Sequence, residues 1–192
     1  MGSTQFKQRT DGWQKVFLSF YREFPQFVAT ASRAAEDGDG AQFRLWKAVG
    51  DELIFEVIVQ SEKDVGLAVR VWLDAMEKYE LEVLHKSGLA LKGGAFIATF
   101  PGPDSESTIP RTPDIEDSDN PVVVLNEKAL TGHRAYTKYL YDYFGPSIDT
   151  GFRVFSLSTQ RFFTLSVEVA WAMAAAAHDA SGVMAGDQTH HV

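Results

Sequence analysis

The chain has 192 residues, a formal net charge of −8 and no cysteine. An acidic balance of that size does not attract nucleic acid or anionic lipid, and the missing thiols exclude disulfides, thiolate zinc sites and cysteine nucleophiles. A hydrophobic share of 45% beside 23% charged residues suits a soluble globular protein, expected to form a single domain over residues 1–192.

The opening "MGSTQFKQRTDGW" lacks the apolar stretch of a signal peptide, and no apolar run reaches membrane-span length. The expectation is a cytoplasmic protein with no nucleic-acid partner and no direct membrane insertion. Trp13, Val16, Phe17, Phe20, Phe24 and Phe27 recur at helical spacing, which predicts an amphipathic helix near Gly12–Arg33. "AEDGDGA" breaks it. Strands are predicted at Phe43–Ala48 and Glu52–Val59, joined by the tight turn Val49-Gly50-Asp51. From Lys63 to Leu84 the set Val65, Ala68, Val69, Trp72, Leu73 and Met76 predicts a second helix.

"LALKGGAFIATF", Leu89–Phe100, predicts a strand in which Gly93-Gly94 marks a bulge or a close backbone approach. Gly102–Asn120, rich in Pro, Ser and acidic residues, predicts a mobile acidic loop. "PVVVL" predicts a short buried strand, His133–Phe144 a helix, Phe162–Val169 a strand and Trp171–Ala180 an Ala-rich helix. A flexible tail is expected over about 181–192, and His178, His190 and His191 have no ligand spacing to a carboxylate pair. One tight hairpin breaks the alternation of strands and helices. That favours an α+β sandwich, a sheet with helices on one face, over a doubly wound parallel sheet.

Two stretches carry candidate chemistry. At the hairpin, Gly50 supplies a positive φ and Asp51 caps the turn, a reading that needs no catalysis. Asp51 at a rigid tip is also a hard oxygen ligand suited to Mg²⁺ or Mn²⁺, but one carboxylate does not make a site. The second stretch is "YDYFGPSIDTGFR", Tyr141–Arg153.

Together these stretches resemble the class III nucleotidyl cyclases, the adenylate and guanylate cyclase superfamily. The family hairpin carries Lys-x-x-Gly-Asp, matched by Lys47, Gly50 and Asp51. Its later stretch reads Asp, two residues, Gly, three residues, Asn, three residues, Arg. Asp142, Gly145, Asp149 and Arg153 fall in that register, with Asp149 replacing the asparagine. "GSTQF", Gly2–Phe6, is similar to the end of the family's opening Asp-Ile-x-Gly-Phe/Ser-Thr motif. "GPSIDTGFR" followed by "FFTLSVEVA" is most similar to the bacterial pyrimidine cyclases of the Pycsar antiphage systems.

The resemblance implies a ferredoxin-like class III cyclase sandwich, a mixed or antiparallel sheet with helices packed on it. It implies conversion of a nucleoside triphosphate to a 3′,5′-cyclic nucleotide and pyrophosphate, with two Mg²⁺ or Mn²⁺ ions and a site shared across a homodimer. Asp51 is then a metal ligand, and Gly2, Ser3 and Thr4 cradle the triphosphate through backbone N–H groups. Lys47 and Asp142 contact the base edge, Asp149 stands where an asparagine orients the ribose, and Arg153 stabilises charge at the α-phosphate.

The family's first metal aspartate, three residues before Gly2, and the strand that carries it precede Met1, so the expectation is a shortened copy of an intact enzyme. UTP is favoured, with CTP or ATP as the other substrates, and the cyclic product is expected to act on a separate effector. Trp46 beside Lys47 is bulky enough to narrow the pocket for a small base, although strand alternation sends neighbours to opposite faces. The alternatives are an adenylate cyclase in bacterial signalling and a catalytically dead cyclase-like dimer that binds a nucleotide or a partner protein.

Overall fold

Two long helices and a hairpin build the first core. In the computed structural model, which describes residues 12–35, 41–112 and 137–186, helix α1 is Trp13–Ala34. Gly12, in the left-handed region at φ 74°, precedes its first turn. Strands β1, Arg44–Val49, and β2, Glu52–Glu56, pair antiparallel. Helix α2, Glu62–Tyr79, starts with a capping box: the Ser61 hydroxyl accepts from the Asp64 N–H while the Asp64 carboxylate accepts from the Ser61 N–H. It continues as a π-helical turn over Glu80–Leu84.

Beyond these lie β3, Gly94–Ala95, β4, Ser105–Pro110, β5, Tyr139–Phe144, helix α3, Pro146–Phe155, β6, Thr164–Leu165, and helix α4, Val167–Gly186. The architecture is α+β, as expected. Among the described residues the strands form three two-stranded ladders: β1–β2 antiparallel, β4–β5 antiparallel and β3–β6 parallel. Two compact units divide the chain, residues 1–92 with 169–192, and residues 93–168. No helix among the described residues is long and apolar enough to cross a membrane.

The core of the first unit is aromatic. Phe24 and Val28 of α1 and Val71, Ala75 and Tyr79 of α2 are buried together. Tyr79 receives the edges of Phe24 and Phe27 at centroid separations of 5.6 and 5.3 Å, and Trp72 lies 5.2 Å from Phe55 of β2. Each such pair adds about 0.5–1.5 kcal/mol to what burial alone contributes. The hairpin is therefore seated on both helices through Phe55.

Several expectations are corrected. Leu73 is exposed, and the row Val71, Ala75, Tyr79, four residues apart, takes the inward face of α2. Among the described residues the pairing within Leu89–Phe100 is confined to Gly94–Ala95 and that within Phe162–Val169 to Thr164–Leu165, the latter running into α4 at Val167. The Gly102–Asn120 segment contains strand β4. Tyr139–Phe144 is a strand where a helix over His133–Phe144 was expected.

The reason for the last two is cross-strand pairing. Glu106, Thr108 and Pro110 stand opposite Tyr143, Tyr141 and Tyr139, and the cross-strand ladder with burial of Tyr143 outweighs the loop-like composition of "SESTIP". A six-residue aromatic run such as "YLYDYF" is ambiguous by periodicity, and its partner strand decides it. The "PVVVL" strand lies outside the described residues. Helix α4 runs on to Gly186, into the segment expected as tail.

Burial, followed by the charge of Glu23, pushes the Tyr79 hydroxyl from its ordinary 10.0 up to about 12. The folded chain thus resists ionisation that the unfolded chain accepts. The contribution is complete below pH 10 and is lost as pH rises through about 12. Denaturant midpoints measured from about pH 9 to 12 should fall more steeply for the native chain than for Tyr79→Phe; parallel curves would contradict this.

Candidate functional site

The hairpin tip is a two-residue turn, Gly50-Asp51, between the paired Val49 and Glu52. Gly50 has φ 61°, the first central position of a type II′ turn, which any side chain would strain. Nothing lies within 4 Å of a Cβ built there, so the glycine is required by conformation rather than by space. The Tyr21 hydroxyl of α1 donates to the Gly50 carbonyl, and an Arg44–Glu56 ion pair closes the other end of the ladder. Asp51, half-buried, is therefore presented on a braced tip.

One residue upstream of Lys47 the ladder slips. Leu45 pairs with Phe55 and Lys47 with Ile54, so Trp46 is the extra residue of a β-bulge. The expectation that alternation separates Trp46 from Lys47 is overturned here. The Lys47 ammonium lies 4.1 Å from the Trp46 ring centroid, a cation–π contact that fixes the amine against an aromatic face.

The second group of candidates lies in the other unit. Asp142 is on β5, opposite Ser107, on a face that also carries Ile109, Leu140 and Phe144, all three exposed. Three residues on, Gly145 turns the chain into α3 with φ 144°. Asp149 and Arg153 follow at i and i+4 on α3, both exposed, while Ile148 and Gly151 are buried. Their signs suit the helix dipole, Asp149 in the first turn and Arg153 in the last, which alone is worth about 0.3–1 kcal/mol each.

Phe96 explains the glycine at 151: a Cβ there would come within 2.4 Å of its ring. The close approach expected at Gly93-Gly94 is found at Gly94, whose Cβ would meet the Thr164 carbonyl oxygen at 2.6 Å and Phe155 at 2.8 Å. Helix α3 is thus pressed onto β3 by Phe96, Phe152 and Phe155, with its charged face outward.

Asp104 is the residue that sequence reasoning missed. It is fully buried, and its Oδ1 accepts from the Ser147 N–H of α3 at 2.9 Å while Oδ2 accepts from the Thr99 N–H at 3.1 Å. Its only sequence signal was that of a turn residue after "PGP".

Gly2, Ser3 and Thr4 lie outside the described residues. Lys47 and Asp51 share the first unit; Asp142, Asp149 and Arg153 share the second. Among the described residues no group of three or more His, Asp or Glu gathers to hold a metal ion. The Asp51 carboxylate suits a hard cation as one ligand, and the remaining oxygens have to come from elsewhere. Comparison with protein-family models, with curated proteins and with solved structures finds no match.

Removing the Tyr21 hydroxyl leaves the Gly50 carbonyl without its brace. Tyr21→Phe should lower the unfolding free energy by about 0.5–1.5 kcal/mol and speed amide exchange at residues 50–52. Unchanged exchange at the tip would show that the brace does not hold it.

Proposed function

We propose that this protein is a nucleotide cyclase of the class III type, closing a pyrimidine nucleoside triphosphate, UTP before CTP, into its 3′,5′-cyclic monophosphate. The observation that supports the reading is the continuous β5–Gly145–α3 unit, which carries Asp142, Asp149 and Arg153, the residues of the cyclase-like spacing, on one short, packed support. The braced Gly50-Asp51 tip with Lys47 four residues before Asp51 supports it independently.

In this reading two copies of the chain adopt the cyclase sandwich and face each other, so that the tip of one meets the β5–α3 surface of its partner. The exposed Ile109, Leu140 and Phe144 around Asp142 favour such a covered face. The protein works in the cytoplasm, and its product acts on a separate effector in antiphage defence.

The reaction is an in-line displacement: the 3′-hydroxyl of the ribose gives up its proton to solvent water, its oxygen bonds to the α-phosphorus, and the bond to pyrophosphate breaks with pyrophosphate as the leaving group. Asp51 would hold a Mg²⁺ or Mn²⁺ ion as one carboxylate ligand, and the bound metal would supply acidification of the hydroxyl and neutralisation of the leaving phosphates. Arg153 supplies a planar, always-charged donor fork to the oxygens of the transferring phosphate. Asp149 accepts from a ribose hydroxyl and so orients the attacking oxygen. The backbone of Gly2, Ser3 and Thr4 would cradle the triphosphate.

Lys47 donates to a base carbonyl or ring nitrogen, and Asp142 accepts from a base N–H. One donor and one acceptor serve uracil, cytosine and adenine alike, so size has to discriminate. Trp46, turned onto Lys47 by the bulge, fills space that a purine ring needs and favours the smaller base.

Incubation with each of the four ribonucleoside triphosphates and Mn²⁺, followed by mass identification, should give cyclic UMP as the main product. Arg153→Ala should lower that turnover by about 10³ or more, and Asp51→Asn comparably. Full turnover in both variants would remove these residues from the site. Trp46→Leu should raise ATP use relative to UTP; an unchanged ratio would take Trp46 out of base selection.

A further inference from the structure

Helix α3 has a start that its own sequence does not cap. Its N-cap is Gly145, with no side chain to offer, and Pro146 at the first position has no N–H. Ser147 therefore carries the first amide that needs an acceptor, and the acceptor comes from 43 residues away: Oδ1 of Asp104, at 2.9 Å. The next rung is ordinary, with the Asp149 N–H donating to the Gly145 carbonyl at 3.0 Å.

Asp104 is itself held on every side. Its Oδ2 accepts from the Thr99 N–H at 3.1 Å, its own N–H donates to the Thr99 carbonyl at 3.3 Å, and its carbonyl accepts from the Gly102 N–H at 2.9 Å. No part of it is exposed. A buried carboxylate in this position is stabilised by two amide donors and by the positive end of the helix dipole. Ser105, the next residue, opens β4 and pairs with Phe144, the residue before Gly145. One side chain thus joins the strand pair that carries Asp142 to the helix that carries Asp149 and Arg153.

Gly145 fits this reading. A Cβ on it would sit 2.4 Å from Asp104 Oδ1 and 2.8 Å from Asp104 Cα. The glycine of the Asp142-x-x-Gly145 spacing leaves the room that the carboxylate occupies, in addition to adopting φ 144°.

We infer that Asp104 is a positioning residue for the Asp149–Arg153 face of α3, acting through the amide of Ser147. The inference rests on the cyclase reading above. Its leverage is geometric. Arg153 lies six residues beyond Ser147, about 9 Å along the axis at about 1.5 Å per residue. A tilt of about 10° at the first turn moves that level by about 1.5 Å, and misplacement on the order of 1 Å in a phosphoryl-transfer site costs about 10²-fold in rate. A cap that served stability alone would change only how much protein is folded.

The test is Asp104→Asn, which keeps the shape but turns one carboxylate oxygen into an amide that cannot accept, with Asp104→Ala beside it. Turnover of UTP is measured in the native and in the Arg153→Ala backgrounds, and amide exchange is followed over residues 145–155. Asp104→Asn is expected to lower kcat at least about tenfold with a KM for UTP changed less than about twofold. In the Arg153→Ala background the same change should cost less than in the native one, because only the Asp149 contact is left to misplace.

Exchange at the Ser147 amide should rise in Asp104→Ala whether or not turnover is measurable. Equal losses in both backgrounds, an unchanged kcat, or unchanged exchange at Ser147 would overturn the inference. A native protein that cyclises none of the four triphosphates would instead overturn the cyclase reading, and the exchange measurement would still decide whether Asp104 fixes the start of α3.

Discussion

Both groups of candidate residues stand on turns that only glycine makes without strain. At Gly50 the backbone enters the left-handed region with open space around it, so the requirement is purely conformational. At Gly145 conformation and space act together, since the carboxylate of Asp104 occupies the volume of the missing side chain. The charged residues beside these turns are ordinary in type. Their placement is not: Asp51 is set by a two-residue turn tied to Tyr21, and Asp149 and Arg153 by a helix whose first amide is held from another segment.

The first unit was legible because its signals are local. The Phe spacing of α1 marked the helix within a residue of Trp13–Ala34, and Gly50-Asp51 marked the hairpin. In the set read for α2, Val65, Ala68 and Val69 are buried and Trp72 and Met76 pack against the core; Leu73 alone misled, because Val71, Ala75 and Tyr79 fill the inward row. The bulge at Trp46 left no trace in composition, since it arises from the register of β1 against β2.

In the second unit the decisive contacts are long-range. "SESTIP" has the composition of a loop and "YLYDYF" suits either period, and each becomes a strand because the other lies beside it. The Asp104–Ser147 bond spans 43 residues and joins two stretches that look like unrelated turns. Asp142, Gly145, Asp149 and Arg153 were visible as a spacing. What the spacing did not reveal is that the first residue sits on a strand face with exposed Leu140 and Phe144, and the last two on the outward face of a helix pinned by Phe96. The net charge of −8 adds a constraint on the proposed function, since the triphosphate it invokes would have to be drawn by local cations such as Lys47 and Arg153 or by bound metal.

A site divided between two copies of one chain has a consequence that no single-chain site shares. Asp51→Asn and Arg153→Ala proteins, each nearly silent alone at about 10⁻³ of native turnover, are mixed under conditions that let subunits exchange, and cyclic nucleotide is followed by mass. A mixed pair restores one complete site, so turnover should reappear on mixing and saturate as either variant is added in excess. A mixture that exchanges subunits and stays silent, beside an active native protein, would contradict the shared cleft on which the account rests.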